Sequence, residues 1–148
     1  MTKYFVKYTM KKLLFAFLFT SFGLTACSAG VNNLKPVRAD HKIQHICLKG
    51  TERKAPEDFI EAMQQSLQKK NIRSERLKNS SQQCDYVLYF SVKGNAKIIG
   101  SAKLEVRDMK NRQSIGSLTY KRRGEEKTRA DNVGLQGQTD FMINQLFE

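Results

Sequence analysis

Hydrophobic positions along this chain form one unbroken run near the start, followed by a series of short periodic patterns. Residues 13–26 (LLFAFLFTSFGLTA) carry no charge, and the residues ahead of them hold Lys3, Lys7, Lys11 and Lys12 with no acid. A cationic stretch followed by an apolar one is the pattern of an export signal. As a helix these 14 residues extend about 21 Å, short of the roughly 30 Å hydrocarbon layer, so a permanent membrane span is the weaker reading.

The pattern then changes character. Residues 28–42 (SAGVNNLKPVRADHK) are polar, contain Pro36 and show no period. They read as a flexible tether reaching about 50 Å when extended. Residues 43–48 (IQHICL) have the length and composition of a strand, and a helix is expected from Pro56, whose missing N–H suits a first helical position. Glu57 and Asp58 fall in its first turn, where the helix dipole favours negative charge. Phe59, Ile60, Met63 and Leu67 make one apolar face, and Lys69, Lys70 and Asn71 supply a cationic last turn and a cap.

Residues 72–77 (IRSERL) fit a short, charged edge strand. Residues 86–92 (YVLYFSV) are nearly continuous in β-branched and aromatic side chains, as in the most buried strand of a sheet. Ala102, Leu104 and Val106 alternate with Lys103, Glu105 and Arg107, giving a strand with one wet face, and residues 113–121 return as its hairpin partner. Leu135, Met142 and Leu146 lie on one helical stripe with Ile143 and Phe147 beside it. A second helix is therefore expected from Asp131, regular from Thr139 because Gly134 and Gly137 weaken the earlier turns. These elements predict an α+β fold: a two-layer α/β sandwich with a mostly antiparallel sheet of four or five strands and both helices on one face.

The residues that end the apolar run change where this domain must live. Leu24, Thr25, Ala26 and Cys27 match the bacterial lipobox. That resemblance implies diacylglyceryl transfer to the Cys27 thiol, cleavage before it and acylation of the new amino group. Several acyl chains exceed what stable membrane anchoring requires. Ser28 rather than Asp follows the cysteine, the lipoprotein pattern sent onward to the outer membrane, where the protein would face the periplasm. The organisation is then a signal peptide at 1–26, a lipidated cysteine and tether at 27–42, and one α/β domain at 43–148. The formal charge is +12, and loss of the four leading lysines and no acid leaves +8.

With Cys27 modified, Cys47 and Cys84 remain. In an exported protein an even pair reads as a disulfide, and a loop of this size would add about 4 kcal/mol in the chain-entropy picture. The competing reading is two buried free thiols. His41, His45 and Cys47 share one face of an extended strand, but two histidines and an oxidised cysteine do not complete a tetrahedral metal site, so no metal is expected. Gly134-Leu135-Gln136-Gly137 precedes a helix without the further positions that a phosphate-binding fingerprint needs. No G-x-S-x-G is present, and Glu57/Asp58 and Glu125/Glu126 are sequence neighbours better suited to solvation than to acid–base work on a substrate.

The order Ile46-Cys47, amphipathic helix, Cys84-Asp85-Tyr86, Ala102/Leu104, hairpin, Ile115-Gly116, Tyr120 and a last helix ending Leu146-Phe147 resembles a group of small Gram-negative lipoproteins without an established activity. The resemblance implies the fold and the anchor only. Where that group has a glycine-rich run, this chain has Arg122-Arg123-Gly124-Glu125-Glu126.

The expected function is a noncatalytic interaction or accessory module of the cell envelope, without a cofactor, meeting the membrane through its anchor and an envelope protein through its domain. The alternative is a binding module for anionic lipid or glycan such as lipopolysaccharide, using Lys69, Lys70, Arg73 and Arg76 near the first helix exit and Lys121, Arg122 and Arg123 near the last hairpin exit. Nucleic acid is a poor partner for an exported chain.

Overall fold

A computed structural model describes residues 30–51, 56–79 and 82–148. The export signal, the lipobox and Cys27 lie outside these residues. In chain order the described elements are β1 (Val31–Lys35), a 3-10 turn (Ala39–His41), β2 (His45–Gly50), α1 (Glu57–Lys69), β3 (Arg73–Arg76), β4 (Tyr86–Gly94), β5 (Ile99–Asp108), β6 (Gln113–Lys121) and α2 (Glu125–Leu146). They form one sheet in the order β1-β6-β5-β4-β2-β3. The pairs β1–β6, β6–β5 and β5–β4 are antiparallel, whereas β2 is parallel to both β3 and β4.

Alternation along the strands sends one set of side chains toward the helices. Ile46, Leu48, Leu88, Phe90, Leu104, Val106, Leu118 and Tyr120 meet Phe59, Met63 and Leu67 of α1 and Met142, Ile143 and Leu146 of α2 in a single buried cluster. Phe59 packs on Phe90 with ring centroids 5.6 Å apart. Burial of each such side chain contributes about 1.5–3 kcal/mol before the entropy of ordering it is counted. The opposite face of the central strands carries Lys49, Tyr89, Ser91, Lys103, Glu105 and Arg107 and is open.

Helix α1 keeps nearly the expected bounds. Pro56 is the residue ahead of it rather than its first position, and its carbonyl accepts from the Phe59 amide at 3.1 Å. At the other end Asn71 is left-handed (φ 59°). The Ile72 amide donates to the Leu67 carbonyl at 3.0 Å and the Asn71 amide to Gln68 at 2.9 Å, the double closure of a Schellman motif. Ile72 and Leu67, both buried, give that motif its apolar contact.

Two expectations need correction. The tether read over 27–42 is in part folded: β1 occupies Val31–Lys35 and pairs with β6, a sixth strand beyond the four or five expected. Its sequence hides it because edge strands need little burial, and only Val31 and Leu34 of this one are partly buried, packing against the core. The sheet is antiparallel at three of its five pairings, close to the expectation, and β2 adds parallel pairings to β3, through the β2–α1–β3 crossover, and to β4. Helix α2 starts at Glu125, not Asp131, and consists of two helical stretches broken at Gly134 (φ 64°, ψ −166°).

Candidate functional site

The cationic residues singled out in the sequence are divided by the fold. Lys69, Lys70, Arg73 and Arg76 lie at the β3 edge, whereas Lys121 ends β6 and Arg122 and Arg123 follow it, next to β1 at the other edge. Five strand intervals of about 4.8 Å separate the edges, roughly 24 Å, so the seven residues do not form one patch. Several are engaged within the protein: Lys69 with Asp140 at 2.7 Å, Arg76 with Glu57, and Arg122 with Asp131. Lys70, Arg73, Lys121 and Arg123 make no ion pair with a described residue.

Both ends of the sheet carry cations outside ion pairs. The end where β1 starts holds the ends of β2, β4 and β6, the turn from β4 to β5, and the first stretch of α2. Lys93, Lys97, Lys121, Arg123 and Lys127 are exposed there. Among the described residues, the exposed carboxylates at this end are Glu125, Asp131, which Arg122 engages, and, across the sheet at the start of α1, Glu57 and Asp58. A shallow hollow lined by Gly30, Asn32, Asn33, Thr119, Lys121 and Arg123 opens beside β1. The opposite end holds the ion pairs Arg38–Asp40 at 2.8 Å and Lys110–Asp85 at 3.8 Å together with the exposed Lys35, Lys42, Arg73 and Arg112.

Beneath the end where β1 starts lies a buried polar chain that sequence reasoning missed. Gln138, fully buried, donates to the Ile99 carbonyl and accepts from the Ile99 amide, both at 2.8 Å, so its side-chain amide meets the backbone as a strand would. It also donates to the Tyr120 hydroxyl at 2.6 Å, which donates to Glu126 Oε1 at 2.6 Å. Arg129 closes the chain with a two-pronged contact to Glu126 at 2.7 and 2.6 Å, and its guanidinium lies 4.2 Å from the Phe141 ring centroid. Burial, helped by the Glu126 carboxylate, pushes the Tyr120 hydroxyl up to about 12. Gly30 is seated on Glu126, where a Cβ would come within 2.5 Å of Glu126 Cγ. The signal available in sequence was Tyr120 itself, since a tyrosine at a core position needs a partner for its hydroxyl.

A second polar cluster ties α1 to α2. Asp140 accepts from Ser66 at 2.7 Å, from Lys69 at 2.7 Å and from Gln136 at 3.0 Å. Burial works to raise its carboxyl, but the hydrogen bonds from Lys69, Ser66 and Gln136 outweigh it and hold the group below the usual range. Ser66 is buried, so its hydroxyl serves the helix contact and does not face a substrate. The Gly134-Leu135-Gln136-Gly137 segment is the break in α2, with Gly137 pressed on Val133 where a Cβ would fall within 2.4 Å of the valine Cβ, and Gln136 turned to α1.

Cys47 and Cys84 are joined by a disulfide that ties β2 to the segment leading into β4, with Cα atoms 6.1 Å apart. The histidines separate. His41 sits in the 3-10 turn with its ring edge-on to Tyr86, while His45 Nε2 meets Glu75 at 3.0 Å. His45, Cys47 and Glu75 bring ligand-type atoms within 4.8 Å of one another, but the Cys47 sulfur is spent in the disulfide and offers no thiolate. No described helix is long and apolar enough to cross a membrane.

The architecture defines a class before it suggests any relative: a mixed six-stranded sheet with two helices over one face. No family model matches the chain, and no curated protein does. Among solved structures it is similar to the PelC dodecamer from Paraburkholderia phytofirmans, with a TM-score of 0.51 and 14% identity over 80% of this chain and 98% of that one. A minor lipoprotein from Acinetobacter baumannii also aligns, with a TM-score of 0.36 and 10% identity over 70% of this chain and 92% of that one. The likeness to PelC is one of fold.

Proposed function

We propose that this chain is a lipid-anchored, noncatalytic accessory module of the bacterial envelope, held to the outer membrane through Cys27. The observation that carries the reading is the pairing of a lipobox with the fold that follows it: Gly30, three residues after Cys27, is already hydrogen-bonded to Lys121 and seated on Glu126. The fold shared with PelC supports a module that works by assembly, since that protein is a dodecamer. Cys27→Ala tests the anchor: the variant should lose both the acyl mass and the membrane pellet, and an acylated, pelleting variant rejects it. In vivo crosslinking of the lipidated protein with mass spectrometry tests the rest, with one reproducible envelope protein as the expected product.

A second reading, binding of an acidic glycan, is favoured by the open sheet face. There the half-buried Tyr89 ring lies between the Lys49 ammonium at 5.7 Å and the Arg107 guanidinium at 5.1 Å, with Lys103 and Ser91 alongside. Salt-sensitive retention on lipopolysaccharide, lost in a Tyr89→Ala/Lys103→Glu variant, is the expected result. Capture of glycan in place of a protein in the crosslinking experiment would move this reading to the front.

A further inference from the structure

We infer that the end of the sheet where β1 begins docks against anionic phospholipid headgroups, so that the strands stand on the membrane and the opposite end, with the disulfide and the β5–β6 hairpin, is displayed away from it. The inference rests on lipidation of Cys27 and deepens that reading by fixing an orientation. Cys27 and Gly30 are three Cα steps apart, at most about 11 Å. Gly30 is no free linker: its carbonyl accepts from the Lys121 amide at 2.8 Å, and its α-carbon abuts Glu126. An acyl anchor at Cys27 therefore holds this end of the domain on a leash comparable to the headgroup layer, about 7 Å thick on each side of the hydrocarbon.

What the leash presents to the lipid is cationic. Lys121 and Arg123 border the hollow beside β1, Lys93 and Lys97 flank the turn from β4 to β5, and Lys127 projects from the first stretch of α2. Against them stand Glu125 and, farther across the sheet, Asp58, while Glu57 and Asp131 are engaged by Arg76 and Arg122. Val133, 42% exposed, adds an apolar side chain at the same end. The far end is cationic as well, with Lys35, Lys42, Lys70, Arg73 and Arg112 outside its ion pairs, so it is the short leash and not the sign of the charge that selects which end meets the lipid. A headgroup surface bearing phosphates is the one anionic partner that the anchor itself would bring within reach. Counterions shorten the range of such contacts to about 8–10 Å at ordinary salt, which the leash satisfies only at this end.

The test uses the full-length lipidated protein in vesicles of phosphatidylcholine with phosphatidylglycerol. A photo-crosslinking residue replaces either Ala96, exposed in the β4–β5 turn, or Met109, exposed at the tip of the hairpin after β5, and lipid adducts are counted by mass spectrometry. The ten residues of β5 place the two probes roughly 30 Å apart. Lipid adducts at Ala96 should exceed those at Met109 several-fold. The excess should collapse in pure phosphatidylcholine and in a Lys93→Glu/Lys97→Glu/Lys121→Glu/Arg123→Glu variant whose circular dichroism is unchanged. Equal adducts at both probes, or a preference that survives both manipulations, overturns the docking while flotation and acyl mass still support the anchor. A protein that neither floats nor carries acyl mass overturns the anchor and the docking together.

Discussion

At one edge of the sheet, β3 follows β2 through a single helix, and a disulfide fastens β2 to the approach of β4. At the other, β1 pairs with a strand that ends at Lys121, with Val31 opposite Tyr120. The first edge is assembled from neighbours in sequence. The second requires most of the chain to be in place, and it is stitched by buried polar groups rather than by apolar burial: Gly30 on Glu126, Glu126 on Tyr120 and Arg129, Tyr120 on Gln138. Local closure is cheap in chain entropy, whereas distant closure must be repaid by specific contacts. The two edges should accordingly fail in different ways.

The largest effect belongs to the β3 edge. Replacing Cys47 and Cys84 together by Ala should cost up to about 4 kcal/mol in urea unfolding. Hydrogen exchange should rise first in β3 and ahead of β4. If both thiols of the native, nonreduced protein react with an alkylating agent, the bridge is absent and the prediction fails with it.

At the β1 edge, Glu126→Ala strips the acceptor from the Tyr120 hydroxyl and the Arg129 guanidinium at once, and about 3 kcal/mol of lost stability is expected. Exchange protection should vanish over Val31–Lys35 while β3 keeps its own. The same network gives an alkaline limit. Because the folded Tyr120 hydroxyl is raised from its ordinary 10.0 to about 12, the unfolded chain releases that proton more readily. Stability present below about pH 10 should be lost as pH climbs through 12, and Tyr120→Phe should flatten that loss.

Smaller effects sharpen the contrast at the helix seam between the edges. Asp140→Asn weakens the contacts to Lys69 and Ser66 and should cost about 1.5 kcal/mol near neutral pH. Since this carboxyl is held below its ordinary value of 3.8, its contribution is present above that value and lost as pH falls through and below it. The variant should therefore differ from the parent at pH 6 and converge with it in acid, as followed by thermal unfolding. Least of all, Asn71→Ala forces an alanine into the left-handed closing position of α1 and should cost about 1 kcal/mol, whereas Asn71→Gly should cost less.

Legibility in the sequence follows the same division. The α1 stripe of Phe59, Ile60, Met63 and Leu67, the continuous apolar run of β4 and the strict alternation of β5 each signal their element, because burial alone decides them. The Asn71 cap was readable as turn chemistry. Strand β1 was not, since VNNLK offers two partly buried side chains and a left-handed Asn33 (φ 50°) in place of a pattern. The first stretch of α2 was hidden for a related reason: its buried residues are Glu126 and Ala130, so its inward face is half polar. Of the candidate residues, the cysteine pair was legible from parity and compartment. Glu126, Gln138 and Asp140 were not, because a buried polar residue is recognised only through partners that the fold brings from far away.

One backbone contact gives the distant edge a place in time. The Val37 amide donates to the Leu146 carbonyl at 2.7 Å, so the segment just after β1 is clasped by the last turn of the final helix. A chain that arrives N-terminus first, from a ribosome or through a membrane pore, exposes its opening strand long before either partner exists. Residues 31–37 must wait for strand β6 and then for the last turn of α2. The opening strand is thus the last to be locked, and completion of the sheet waits on the formation of α2.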